Sequence, residues 1–395
     1  MKGEMVKLSI DIGFEANDVD IENLQTGLAY ISQDIENFVI DKEKQIIHFE
    51  LKKDSDASQL EVLLKEAILK FRPFSEDDST VILHDFKSYE VANSENVFSA
   101  LVERGDITEY NEGYFALSGK LLQNMKKIDE ELLIFARSLS SSEVIFPITT
   151  QISNLNKHDF FKQTPQFANF ISTLREDIEN ISNLSKGLSG DDEFKITEHV
   201  HDPKCMCRSA VCLNSYPRYE NKKFREEQNI ALTSVGKVFR NESKNVQSLE
   251  RLHEFSMREI IFFGSAEYVD ESLKKCVQWC VDFIKKFKLK SIIQSANDPF
   301  FAENFSTLQF YQRSQVSKYE VKLFNPASQN QVSCASLNNH GTHFSKAFNI
   351  KFENDEYIFT GCAGWGLERC IFMIYAQYGV EEEKWPVELR EFFKL

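Results

Sequence analysis

The hydrophobic and polar positions of this 395-residue chain fall into two successive regimes. Near the N-terminus, residues 5–12 and 45–52 read as strands, and residues 21–33 and 58–72 repeat their apolar positions with the helical period. The result is a small α+β unit of β-α-β-β-α rhythm, closed by the polar run Ser75-Glu76-Asp77-Asp78-Ser79. A helical stretch near 93–104 bridges to a long amphipathic helix over 119–139, which leads into Val144-Ile145-Phe146-Pro147. Residues 178–196, rich in Asn, Ser, Gly and Asp, predict a mobile loop. Beyond residue 200 strands dominate. Two apolar runs, 231–241 and 252–264, flank a polar loop from Ser243 to Glu250, a hairpin pattern. A helix over 266–288 follows, then strands at 318–325, 347–353 and 356–360. The last strand enters a glycine-dense turn, Gly361-Cys362-Ala363-Gly364-Trp365-Gly366, ahead of an apolar helix from Cys370 to Tyr378. The pattern predicts an α+β fold: one antiparallel sheet flanked by helices over 111–395, preceded by an acidic α+β accessory domain over 1–110.

Charge sharpens that division. Residues 1–110 hold 11 Lys/Arg against 24 Asp/Glu, a balance of −13 out of −15 for the whole chain. Nucleic acid is gripped by cations that displace counterions, so this region is expected to be a poor grip for RNA. No run of apolar residues is long enough to span a membrane, and the N-terminus has no signal-peptide core; the expectation is a cytoplasmic protein. Eight cysteines, at 205, 207, 212, 276, 280, 334, 362 and 370, then read as reduced thiols or metal ligands.

Candidate chemistry gathers in the second half. Glycines let the backbone approach a phosphate or base, and Arg369 would sit on the first turn of the last helix, where free N–H groups favour anions. A dinucleotide fingerprint is not expected, because it needs a crossover unit and a downstream acidic ribose ligand for which the residues after Gly366 leave no room. Arg240 and Glu242, two apart at the end of a strand, would share a face. There a guanidinium can clamp a carboxylate or phosphate, and a carboxylate can accept from an amine. On the return strand Arg251, His253, Phe255, Met257 and Glu259 alternate onto one face. Arg240, Phe255 and Arg369 would supply a phosphate clamp, an aromatic platform and a second cation. The cluster His199, His201, Cys205 and Cys207 is either a compact zinc knuckle or a loop with incidental thiols, and spacing leaves both open.

These residues resemble the catalytic domain of class II aminoacyl-tRNA synthetases. The segment Leu121 to Pro147 resembles motif 1, VFRNE through LHEFSMREI resembles motif 2, and GCAGWGLER resembles motif 3. SAVCLNSYP (209–217), ANDPFF (296–301), QRSQVSKYEV (312–321), SLNNHGTHFSKAF (336–348) and residues 146–170 are similar to the zinc-dependent methanogen-type seryl enzymes. They are more similar still to truncated relatives, the amino acid:[carrier protein] ligases. The resemblance implies a zinc held by Cys212, Glu259 and Cys362, with an open position for an α-amino group. It implies ATP, with its magnesium, bound by Arg240, Arg251, Phe255 and Arg369. The neutral Gln331 stands near where ordinary seryl enzymes place an acidic magnesium ligand, so no magnesium site is assigned. Arg240, Glu242 and Arg369 would be catalytic, with Glu242 and Glu259 on the amino acid. Motif 1 implies a homodimer, its helix needing a partner subunit to cover an apolar face.

The expected function is ATP-dependent activation of a small amino acid as its adenylate. The acceptor is expected to be the phosphopantetheine thiol of a carrier protein landing on the lysines of 274–290, with tRNA charged poorly or not at all. The alternative is a zinc-dependent seryl-tRNA synthetase. A catalytically dead paralogue is disfavoured by the intact set of site residues.

Overall fold

The structure, a computed structural model, describes residues 6–16, 18–71, 80–187, 195–296 and 318–394. The run 75–79 and the segments 297–301 and 312–317 therefore lie outside the described residues. The N-terminal unit follows the predicted rhythm. The strand Ile46–Leu51 lies between Val6–Asp11 and Ile35–Asp41, all antiparallel, with the helices Asp18–Leu28 and Ala57–Lys70. Asp56 starts the second helix by accepting from the Ser58 and Gln59 amides. Ile10, Leu24, Leu28, Ile47, Phe49, Leu51 and Leu64 close a core of their own. A separate, larger core begins at Phe86 and includes Val97, Leu101 and Ile107. The strand Ile82–Asp85 pairs with Ser291–Ser295, so residues 82–107 pack with the larger sheet and not with the N-terminal unit.

That sheet has eight strands. Their order is Ile82–Asp85, Ser291–Ser295, Lys318–Asn325, Asn330–Gly341, Phe359–Gly366, Glu254–Gly264, Ile230–Phe239 and Ser142–Glu143. Every pairing is antiparallel except the short last one. The predicted hairpin is present in register, Phe255 opposite Val238 and Glu259 opposite Ser234.

Three expectations change. The glycine-dense segment is no turn: Phe359–Gly366 is a buried central strand, and the helix Leu367–Tyr378 starts directly after it. Its glycines serve close packing. A Cβ at Gly361 would lie 2.8 Å from Val269 Cγ1 on the helix Ala266–Phe287, and one at Gly364 would lie 3.2 Å from Glu259 Cγ. Trp365, on the same face as Gly361, meets Trp279 of that helix at 5.8 Å and belongs to the core. Secondly, much of the loop expected over 178–196 is a helix, Ile178–Gly187. Thirdly, the strand expected over 347–353 shrinks to Lys351–Phe352, behind the helical turn His343–Ala347.

The helix Gly119–Ser138 buries Leu121, Met125, Ile128, Leu132 and Ala136 within this one chain, so its apolar face needs no second subunit to cover it. Exposed apolar side chains remain at Ile134 of that helix and at Ile145 and Ile148 after it in the chain. No helix among the described residues is long and apolar enough to cross a membrane.

Candidate active site

Strand alternation sets the floor of the site. Register places Glu259 beside Gly364 and Ser234, and Asn338 beside Cys362, so Cys362, Gly364, Gly366, Glu259, Met257 and Phe255 share one face. Above it, the short turn Cys212–Asn214 brings in Cys212, whose amide donates to Glu259 Oε2 at 2.6 Å. The ligand atoms of Cys212, Glu259 and Cys362 all lie within 4.8 Å of one another, and all three residues are buried. Gly364 makes the room: any side chain there would press on Glu259.

The electrostatics of this trio favour a cation. Burial, then the Cys362 thiolate, pushes the Glu259 carboxyl up to about 8. A hydrogen bond from the Cys212 thiol, helped by His340, holds Cys362 well below the usual thiol range, while that same bond and burial hold Cys212 above it. Two thiols and a carboxylate in a dry pocket are a soft-to-borderline donor set, which fits zinc. Asn338 Nδ2 and His340 Nε2 stand 3.6 and 3.7 Å from Cys362 Sγ.

The upstream cluster does not assemble with it. Cys205 and Cys207 belong to the strand Cys205–Cys207 between Thr149–Gln151 and Asn169–Ile171. His199 Nδ1 is 2.7 Å from Asn180 Oδ1, and His201 Nε2 is 2.8 Å from Glu176 Oε2. Among the described residues, Cys212, Glu259 and Cys362 are the one cluster whose ligand atoms converge.

A cationic, aromatic group adjoins the trio. Phe255, four residues before Glu259, has the guanidinium carbon of Arg240 at 5.4 Å and that of Arg369 at 5.7 Å from its ring centroid. Phe167 flanks Arg240 on another side at 5.2 Å. Arg240 Nε donates to the Ser209 carbonyl at 3.1 Å, and Arg369 Nη1 to that of Ser333 at 3.1 Å. Burial and the neighbouring Arg251 cation lower the pKa of Arg369, and Glu242 opposes them. Such crowding of guanidiniums suits a polyanion that would relieve it. Neither Arg240 nor Glu242 lies on the strand, which ends at Phe239; Glu242 opens the short helical turn Ser243–Asn245 and pairs with Arg251 at 3.4 Å.

Two supporting residues escaped sequence reading. Arg208 is fully buried and lies over Gly236, where a Cβ would come 2.1 Å from its Nη2. It donates to the carbonyls of Lys237, Phe146 and Pro147, which ties the segment after the strand Ser142–Glu143 to the strand Ile230–Phe239. Glu368 accepts from the Ser256 amide at 2.7 and 2.9 Å and from Lys237, fixing the edge of the hairpin. Gly236 inside the strand Ile230–Phe239 was the one signal available for Arg208.

Residues 209–378 match the tRNA synthetase class II core domain (G, H, P, S and T). They form a class II tRNA synthetase core. Its similar proteins include the Type-2 serine–tRNA ligase of Methanocaldococcus jannaschii, 25% identical over 280 residues, 67% of this chain and 53% of that protein. The Methanothermobacter thermautotrophicus protein of the same name is 26% identical over 268 residues, 65% of this chain and 52% of that one. The chain thus spans about half the length of the relatives it matches. M. kandleri SerRS, crystallised in complex with A. aeolicus tRNASec, shares the fold with a TM-score of 0.72 at 18% identity, over 98% of this chain and 77% of that one. The cytoplasmic serine-tRNA ligase of Naegleria fowleri, solved with AMP, gives 0.61 at 12% identity, over 85% and 70%.

These relatives overturn the expected carrier-protein acceptor. They are named serine–tRNA ligases, and a SerRS solved with a tRNA shares the fold over 98% of this chain, N-terminal unit included. The phosphopantetheinylated carrier protein is accordingly dropped, both as acceptor and as partner. That expectation leaned on the −13 of residues 1–110, but a net charge sums over every face and cannot say which face meets an RNA. Lys274, Lys275, Lys285 and Lys286 form the outer side of a helix packed inward through Leu273, Cys276, Cys280 and Ile284, and Lys288 and Lys290 follow its end.

Proposed function

We propose that this chain activates serine with ATP as its adenylate and transfers it to tRNA. The observation that carries the reading is the contiguity of the two clusters on one sheet face: the Cys212–Glu259–Cys362 donor set and, one strand turn away, Phe255 between Arg240 and Arg369. Cys212, Glu259 and Cys362 would hold zinc, which when bound supplies a Lewis-acid position for the α-amino group and so rejects acids lacking it. Arg240 would bridge the serine carboxylate and the α-phosphate, and Arg369 with Arg251 would take the outer phosphates. Phe255 would stack the adenine, and Glu242 would orient Arg251. A second copy of the chain would cover Ile145 and Ile148, making the working form a homodimer.

Charging of tRNA with radiolabelled serine by the full chain tests the proposal. Seryl-tRNA formed with ATP supports it. Serine activation without any charging of seryl-acceptor tRNA would refute the acceptor half.

A further inference from the structure

The N-terminal unit touches the synthetase core at the motif 2 loop. At the C-terminal end of its first helix, Thr26, Ala29 and Tyr30 meet the segment 241–251. Tyr30 Oη donates to the Asn241 carbonyl at 2.5 Å, and Ser243 Oγ donates to the Ala29 carbonyl at 3.0 Å. Asn245 Nδ2 donates to the Thr26 carbonyl at 3.0 Å, and Arg251 Nη2 to Thr26 Oγ1 at 3.2 Å. The same Arg251 holds Glu242 through its other terminal nitrogen. Thr26 is buried, as are Glu242 and Asn245. Lys244 also lies against the unit, within the field of its Glu36, Asp34 and Lys52. The loop is not one that a free chain would favour, since Ser243 (φ 51°) and Ser248 (φ 41°) are left-handed without being glycine. Its shape is set from outside.

We infer that Thr26 and Tyr30 are positioning residues of the ATP site: through the 241–251 loop the N-terminal unit holds Arg251 and Glu242 in place, and so serves amino-acid activation itself as well as any acceptor step. The inference rests on the proposed assignment of Arg251 to ATP. It differs from a tethered RNA-binding module, which would leave activation untouched when its contacts are cut.

The test uses the full-length chain with Thr26→Val, Tyr30→Phe, the double variant, and Thr26→Ser as the conservative control. Losing the neutral Tyr30 bond typically costs about two- to ten-fold and losing the bond to the charged Arg251 somewhat more, so the double variant should raise KM for ATP by about ten-fold or more. KM for serine and zinc content should stay unchanged, and Thr26→Ser should remain within about two-fold of wild type. Hydrogen exchange of amides 241–251 should quicken, while that of the strand Phe359–Gly366 stays protected. Unchanged exchange in the loop together with an unchanged KM for ATP would overturn the inference. Should the wild-type chain activate no amino acid, the proposed function fails by itself. Loop exchange and calorimetric ATP affinity of the same variants then still decide the positioning role: weaker ATP binding with a looser loop supports it, and no change in either refutes it.

Discussion

The two clusters of the site are built by different means. Glu259 and Cys362 are set by strand register, with Gly364 leaving space and Cys212 lowered from a short turn; the supports lie within the sheet. The cationic cluster is half sheet and half loop. Phe255 and Arg369 stand on the strand Glu254–Gly264 and on the helix after motif 3, whereas Glu242 and Arg251 hang on a loop that the N-terminal unit grips. The donor trio should therefore survive disturbance of the N-terminal contacts, and the Arg251–Glu242 pair should not. Register gives rigidity, and a loop gives a place where another part of the chain can intervene.

The sharpest break of this comparison is on the metal side. Cys362→Ser removes a donor outright, and it should lose zinc by more than the ~10–100-fold that follows loss of a mere supporting partner. Metal analysis reads this directly, and Arg240 and Arg369 should still bind ATP in that variant. On the cationic side, Arg240→Ala and Arg369→Ala should each cost about two to three decades in pyrophosphate exchange, roughly 2.7–4 kcal/mol, with zinc retained. Near-normal rates in both would place the nucleotide elsewhere.

Acid should loosen the packing around His158. His158 is buried among Phe160, His343, Phe344 and Phe348, and burial followed by His343 pulls its pKa down to about 4. The unfolded chain takes up that proton near 6.5, the folded chain only near 4. Stability from this group is therefore complete above pH 6.5 and lost as pH falls from there through 4, about 3 kcal/mol in all. Denaturation midpoints across that window should show the slope, and His158→Phe should flatten it.

A smaller effect is expected at Phe255→Ala, which removes stacking but no charge. Base–aromatic stacking is worth ~1–3 kcal/mol, so KM for ATP should rise by about one decade while zinc and KM for serine hold. Least of all is expected from Cys205→Ser with Cys207→Ser, since those thiols lie outside the trio; zinc content should not change. A fall in zinc there would reveal a second site.

Much of this was legible before the structure. The β-α-β-β-α rhythm, the hairpin and the long helices follow from apolar period, and Cys212, Glu259 and Cys362, named through family likeness, do converge. Misread features depended on tertiary partners. The glycines of 361–366 look like a turn locally, but Val269 and Glu259, far away in sequence, demand the missing Cβ atoms. Helix Gly119–Ser138 looks as if it needs a partner subunit, yet the chain's own last long helix supplies Tyr375, which accepts from Asn124. Arg208 carries no local mark of function, because its role is to hold carbonyls of a distant strand and a distant connecting segment. Nor could composition announce that Thr26 reaches Arg251, 225 positions away.

Pyrophosphate exchange by the full-length, zinc-loaded chain, with each proteinogenic amino acid in turn, tests the joined site most directly. Exchange that depends on serine, and that disappears in both Cys362→Ser and Arg240→Ala, is the expected result. Exchange with another amino acid in place of serine, or serine-dependent exchange untouched by Cys362→Ser, would contradict the account.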